Sequence, residues 1–148
     1  MSIQTIFSNQ ILNITITALL IAQLLKLVVM LAVHRKIDFR RFIGSGGMPS
    51  SHSSTVVALA TCVARKCGIG STEFAIACVL AIIVMYDAAG VRRAVGTHAR
   101  TLNKILENWN PSDPVLTEKK LKELVGHTPL QVYAGALLGL AIGMVGPM

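Results

Sequence analysis

A chain of 148 residues with 53% hydrophobic and only 14% charged side chains is not a soluble domain, since soluble domains carry about 25% charged residues. Its net charge of +7 raises nucleic acid as a partner. The basic residues instead sit between apolar runs, where they fit a membrane surface and not a nucleic acid.

The first predicted element is the apolar run Ile11 to Val33, 23 residues with one charge, Lys26. At about 1.5 Å per residue it crosses a hydrocarbon core roughly 30 Å thick. It is not a cleavable signal: the first ten residues hold no Lys or Arg, and an h-region is only about 7–15 residues long. Lys26, about two turns inside this span, either snorkels to the interface or donates its charge to a buried site.

The string GSGGMPSSHSST, Gly44 to Thr55, comes next. Ser50 or Ser51 is a helix N-cap, and Gly46 and Gly47 ahead of it leave backbone N–H groups free to face a ligand. A helix N-terminus with such donors suits phosphate, and His52 in the first turn can give or take a proton. A capped helix after a flexible turn would use the same residues. A second span is predicted over about 51–67 and a third over about 72–92.

The third span runs out in YDAAGVRRAVG, Tyr86 to Gly96. Asp87 is a carboxylate at the end of an apolar run, where it costs free energy unless paired. Arg92 and Arg93 offer planar donor forks suited to phosphate oxygens. On a continuing helix Arg92, Gly96, Ala99 and Asn103 share one face, which leaves room beside the arginine. Asp113-Pro114 opens an amphipathic helix over about 114–125, ended by Gly126 as its C′ residue. Thr128 then caps the last helix, with Pro129 at its first position and Gln131 completing a capping box. His127 is held in the hinge between the two, and the last span covers about 129–146.

The fold expected is an all-α integral membrane bundle, a single domain over 1–148, with four transmembrane helices and one cytoplasmic amphipathic helix. Arg35, Lys36, Arg40 and Arg41, with Arg92, Arg93, Arg100, Lys104, Lys119, Lys120 and Lys122, put eleven basic residues in two loops, against Arg65 and Lys66 in the third. The positive-inside rule then sets the N-terminus outside and the basic loops in the cytoplasm. On that topology the polar clusters around His52, Asp87–Arg93 and His127 all meet at the cytoplasmic face. The three cysteines, Cys62, Cys67 and Cys78, are odd in number and read as small core residues.

The strings GGMPSSHSS, YDAAGVRR with its following Gly, Ala and Leu-Asn, and GHTPLQV resemble the divergent branch of the type-2 phosphatidic acid phosphatase family, which is related to acid phosphatases and vanadium haloperoxidases. The resemblance runs from Ala22 to Gly143. It implies a metal-independent phosphomonoesterase with no cofactor, a phospho-histidine intermediate, a second histidine as acid, and Lys and Arg on the phosphate. Pro49-Ser50-Ser51-His52 stands for the family's Pro-Ser-Gly-His, and Lys26 for the lysine of its first motif, with Arg35 at a longer spacing than the family's partner arginine. In the third motif Val91 replaces a serine and Leu102 an aspartate, while His98 keeps the family's distance from Arg92. The divergent branch carries a histidine in Gly-His-x-Pro, here His127, so His127 and His98 are alternative nucleophiles.

The candidate catalytic residues are therefore His52, His127 and Asp87, the last orienting a histidine. The phosphate-binding candidates are Lys26, Ser50, Ser51, Arg92 and Arg93, and His98, Arg35 and Asn103 complete the set. The function implied is hydrolysis of a lipid phosphomonoester of phosphatidate, phosphatidylglycerol phosphate or polyprenyl phosphate type, with membrane lipids as surroundings. A non-catalytic lipid-phosphate binder or carrier is the alternative. Four helices wall a polar pocket thinly, which leaves room for a homodimer.

Overall fold

In the computed structural model, which describes residues 8–34, 47–109, 121 and 126–148, every regular element is a helix. Helix α1 is Gln10–His34, α2 is Ser51–Cys67, α3 is Thr72–Ala89, α4 is Val91–Trp109 and α5 is Pro129–Val145. The region expected to form an amphipathic helix over 114–125 and the candidate Arg35 lie outside the described residues.

Four of the five helices, all but α4, begin where a side chain can take up open N–H groups. Asn9 Oδ1 accepts from the N–H of Leu12 at 3.1 Å, Ser50 accepts from Ser53, Ser71 from Phe74 and Thr128 from Gln131. Substituting such a cap typically costs about 1 kcal/mol. Gly68, at φ +87°, ends α2 with its N–H on the carbonyl of Ala64. A Cβ there would touch nothing, so glycine is needed for the left-handed backbone alone.

Helix α2 is the axis of the molecule and packs against α1, α3 and α5. Its buried residues include Ser51, Ser53, Ser54 and Thr61, polar side chains that face protein rather than lipid. The hydroxyls of Ser53, Ser54 and Thr61 are satisfied locally or across the bundle: Ser53 donates to Ser50 Oγ, Thr61 to the carbonyl of Val57 at 2.7 Å and Ser54 to that of Ala18 at 3.3 Å. Against this face α5 presents Gly135, Gly139 and Gly143, all buried. A Cβ on Gly135 would run into the carbonyl oxygen of Ser50, one on Gly139 into that of Ser54, and one on Gly143 would lie 2.7 Å from Thr61 Cβ. The two backbones are thus in direct contact, the arrangement that small residues four apart permit between helices in lipid. Because Ser50 pairs with Gly135 and Ser54 with Gly139, α2 and α5 run parallel.

The outward faces are apolar. Leu20, Leu24 and Val28 of α1, Ile76, Ile82 and Ile83 of α3, and Leu137 and Met144 of α5 are all exposed. Such a surface suits hydrocarbon, not water. Two helical stretches, Gln10–Ala32 and Thr72–Asn108, the second made of α3 and most of α4, are long and apolar enough to cross a membrane. Helices α2 and α5, with 17 residues each, reach only about 26 Å, so length and composition support two spans where the sequence predicts four.

The third predicted span, over about 72–92, contains an interruption near its end. Helix α3 stops at Ala89, and Gly90, at φ −102° and ψ −82°, breaks the backbone before α4 begins. Hydrogen bonds still bridge the break, from Gly90 N–H to Tyr86 and from Ala94 N–H to Gly90. Beyond it Val91, Val95, Leu102 and Ile105 are exposed on one side of α4, while Gly96, Ala99 and Asn103 are buried. The face that was expected to leave room beside Arg92 is therefore covered. Of the cysteines only Cys62 is a core residue; Cys67 is exposed and Cys78 half-buried.

Candidate active site

The polar clusters meet at one end of the bundle, where α2 and α5 begin and α1 and α3 end. His127 is the largest fully buried side chain among the described residues, 1% exposed. Three ties hold its short loop. Its own N–H donates to the carbonyl of Ala88 at 2.9 Å, at the end of α3. Gly126, at φ +92°, lies so close to the start of α4 that a Cβ would overlap the backbone of Arg92 and Arg93. On the other side Thr128 and Gln131 form the capping box of α5, with Pro129 in the first turn.

The ring of His52, on the second residue of α2, meets the ring of His127 edge to face, with centroids 5.7 Å apart. Helix α2 is aligned to bring it there: the N–H of Ser50 donates to the carbonyl of Gln131 at 3.0 Å, and Ser50 Oγ caps Ser53. Ser50 and Ser51 are both buried. His127 Nδ1 lies 3.2 Å from Gln131 Oε1. His127 Nε2 and His52 Nδ1 are both buried with no hydrogen-bond partner among the described residues. Buried polar atoms are nearly always bonded, so two orphans on facing histidines mark a place that expects a ligand.

Lys26 comes in from α1. It is only 4% exposed, so it does not snorkel outward; its stem passes over Gly47, where a Cβ would lie 3.1 Å from Lys26 Cγ. Gly47 holds φ +97°, a backbone conformation that strains any larger residue, and the lysine stem would also have to yield slightly to a Cβ. The charge of Lys26 acts on both histidines, and those of Arg92 and Asp87 on His52. Burial pushes the pKa of His127 below its ordinary value, the neighbouring His52 and Lys26 push the same way, and hydrogen bonds with the Gln131 side chain and the Gly47 backbone oppose them. The balance of these influences favours the neutral imidazole of His127.

Asp87 does not orient a histidine as expected. Its carboxylate accepts from Arg92 Nε at 2.5 Å, with the two side chains 38% and 46% exposed. In such exposure the pair contributes about 0–1 kcal/mol; its effect is to hold the guanidinium toward His52. The residue that does bond a histidine is Gln131, which the sequence presents only as a cap. Arg93 and His98 are exposed, and His98 is not drawn into the cluster. Asn103 is buried but spent on structure: it donates to the carbonyl of Leu121 at 3.0 Å and accepts from its N–H at 2.9 Å. Among the described residues no three His, Cys, Asp or Glu side chains gather as a metal-ligand set would. A separate apolar groove of about 550 Å³, lined by Val57, Thr61, Phe74, Cys78, Leu140 and Met144 among others, holds none of the candidate residues.

Comparison with known proteins agrees with the motifs. The model of the Divergent PAP2 family matches residues 7–142. The chain is 40% identical over 141 residues to the uncharacterized membrane protein YuiD of Bacillus subtilis (strain 168), an alignment covering 88% of this chain and 89% of that protein. No solved structure matches.

Proposed function

The chain belongs to the divergent PAP2 family, and from that membership and the geometry of the histidine pair we propose that it is a membrane-embedded phosphatase of lipid phosphomonoesters. The observation that carries this reading is the buried, unpartnered Nε2 of His127 facing His52, with the buried Lys26 alongside. A neutral imidazole nitrogen with a free lone pair, a second imidazole within reach and fixed positive charge are the parts phosphoryl transfer uses.

In the reaction proposed, Lys26 and Arg92 draw the phosphate oxygens in and balance their charge. His127 Nε2 attacks phosphorus as the ester P–O bond breaks, and the leaving oxygen takes a proton from His52. Water then attacks the phospho-histidine, His52 takes its proton back, and inorganic phosphate leaves with His127 neutral again. Ser50 and Ser51 cap the helix that presents His52. The proposal has α1, α2, α3 and α5 cross the membrane with this end at the cytoplasmic face, an orientation that the eleven basic residues of the flanking loops favour.

The test is phosphate release by purified protein in detergent, with EDTA present, from phosphatidate, phosphatidylglycerol phosphate and polyprenyl phosphate. Release from at least one, lost in His52→Ala, is expected. Binding of these lipids without release from any would replace the enzyme by a lipid-phosphate carrier.

A further inference from the structure

We propose that Gln131 is a positioning residue that sets the tautomer of His127, placing the proton on Nδ1 and leaving the lone pair on Nε2. The capping box supplies the reasoning. Gln131 Oε1 lies 3.1 Å from the N–H of Thr128 and 3.2 Å from His127 Nδ1. A backbone N–H can only donate, so the amide atom facing it is the oxygen; an NH₂ there would set donor against donor. The same oxygen then faces Nδ1, which must carry a hydrogen to approach it. In a neutral imidazole one nitrogen donates and the other accepts, and the acceptor is left at Nε2, the buried atom without a partner.

One side chain thus does two jobs. As a cap it closes the first turn of α5, and as an acceptor it turns the lone pair of His127 into the site. Its neutrality matters as much as its geometry. A carboxylate at this position would hold the same proton but would favour the imidazolium, which has no lone pair to attack with. The other groups around the ring are Lys26 from α1, His52 from α2, and, beyond His52, the Asp87–Arg92 pair at the junction of α3 and α4. Gln131 is the one side chain that hydrogen-bonds it among the described residues, and the Gly47 backbone lies on the ring as well.

The assignment stands on the hydrogen bonds; its consequence for rate rests on the phosphatase reading above. Nitrogen-15 NMR of histidine-labelled, full-length protein in detergent reads the tautomer directly, whether or not the protein turns over. In the wild type His127 is expected as the Nδ1–H form. In Gln131→Met it is expected to move toward the Nε2–H form, with kcat falling roughly a hundredfold or more while KM changes little, as when a catalytic imidazole loses its tautomer. Gln131→Glu keeps the acceptor and the capping box, so Nδ1–H should persist while the acid limb of the rate profile rises by about one pH unit. An Nε2–H wild type, an unchanged tautomer in Gln131→Met, or loss of Nδ1–H in Gln131→Glu would each overturn the assignment. If Gln131→Met does not fold, the wild-type and Gln131→Glu spectra decide. Wild-type protein that shows Nδ1–H yet releases no phosphate would sink the phosphatase reading and leave the tautomer assignment standing.

Discussion

The N–H of Ser50 donates to the carbonyl of Gln131 at 3.0 Å, joining the residue that caps α2 to the residue whose side chain holds His127. The heads of the two helices are therefore set against each other by their own backbones, and each histidine is placed relative to that joint. Ser50 Oγ also accepts from Ser53 Oγ at 3.1 Å inside the core. Ser50→Ala should remove both the cap and that partner and destabilise the protein by about 1–3 kcal/mol. Thermal unfolding in detergent measures this; a change below about 0.5 kcal/mol would mean that the cap is dispensable.

The choice between histidines makes a sharper forecast. His127 is tied by Ala88, Gly126 and the capping box, and a reacting group misplaced by about 1 Å can lose on the order of a hundredfold in rate. His98 is exposed on α4. His127→Ala should abolish phosphate release, whereas His98→Gln should cost less than about tenfold, or 1.4 kcal/mol. Acid-quenched trapping with labelled substrate should find phospho-histidine in His98→Gln and none in His127→Ala. The opposite pattern would assign the nucleophile to α4.

The lowered pKa of His127 has a pH consequence with a definite sign. Unfolded, the imidazole takes a proton near its ordinary value of 6.5; folded, burial delays that uptake to lower pH. The unfolded state then binds more protons, so stability is complete above pH 6.5 and falls as the pH drops from there through the folded value. Unfolding midpoints between pH 7.5 and 5 should decline in the wild type and decline less in His127→Gln. Equal slopes would show that His127 titrates normally.

The glycines of α5 should tolerate nothing larger. Gly139→Ala would press a methyl group onto the carbonyl of Ser54, and overpacking of this kind costs about 1–3 kcal/mol or more. Gly70→Ala, where a Cβ meets nothing within 4 Å, is the matched control. Similar unfolding midpoints for the two variants would contradict the direct contact of α2 with α5.

Orientation can be read from a native thiol. Cys67 is exposed at the end of α2 remote from the histidines, so on the proposed topology a membrane-impermeant maleimide should label it on intact cells. Labelling only after permeabilisation would place the site on the outer face.

Much of this site is legible in the sequence because its parts are local. Pro129 and the Thr128–Gln131 box announce a helix start, and the serines around His52 announce another, so the two histidines could be placed in first turns or hinges without coordinates. What escaped was contact between distant segments. Gly135, Gly139 and Gly143 repeat every fourth residue, a pattern that marks close helix approach, but their hydropathy is neutral and a reading by apolar runs passes over them. Asn103 offers the side-chain chemistry of a ligand-binding residue and gives no local sign that its partner is the backbone at Leu121, 18 positions on. Asp87 lies five residues before Arg92, and one glycine between them breaks the helix just enough for the two to meet. A lone glycine in a helical pattern is ordinarily tolerated, so nothing local predicts that turn.

The glycine ladder also decides how the molecule can deform. Two helices in backbone contact have no side-chain layer to shear, so α2 and α5 move as one stiff rod. His52 rides at the head of one and His127 at the head of the other. A bilayer that thins, thickens or comes under tension can tilt that rod, but it has no purchase on the distance between the two rings. Whatever gating the lipid imposes must act through α1 and the Gly90 junction, the parts that carry Lys26 and Arg92. On the proposed function, the charge that would receive a phosphate is then responsive to the membrane, while the pair that would handle its chemistry is mechanically insulated from it.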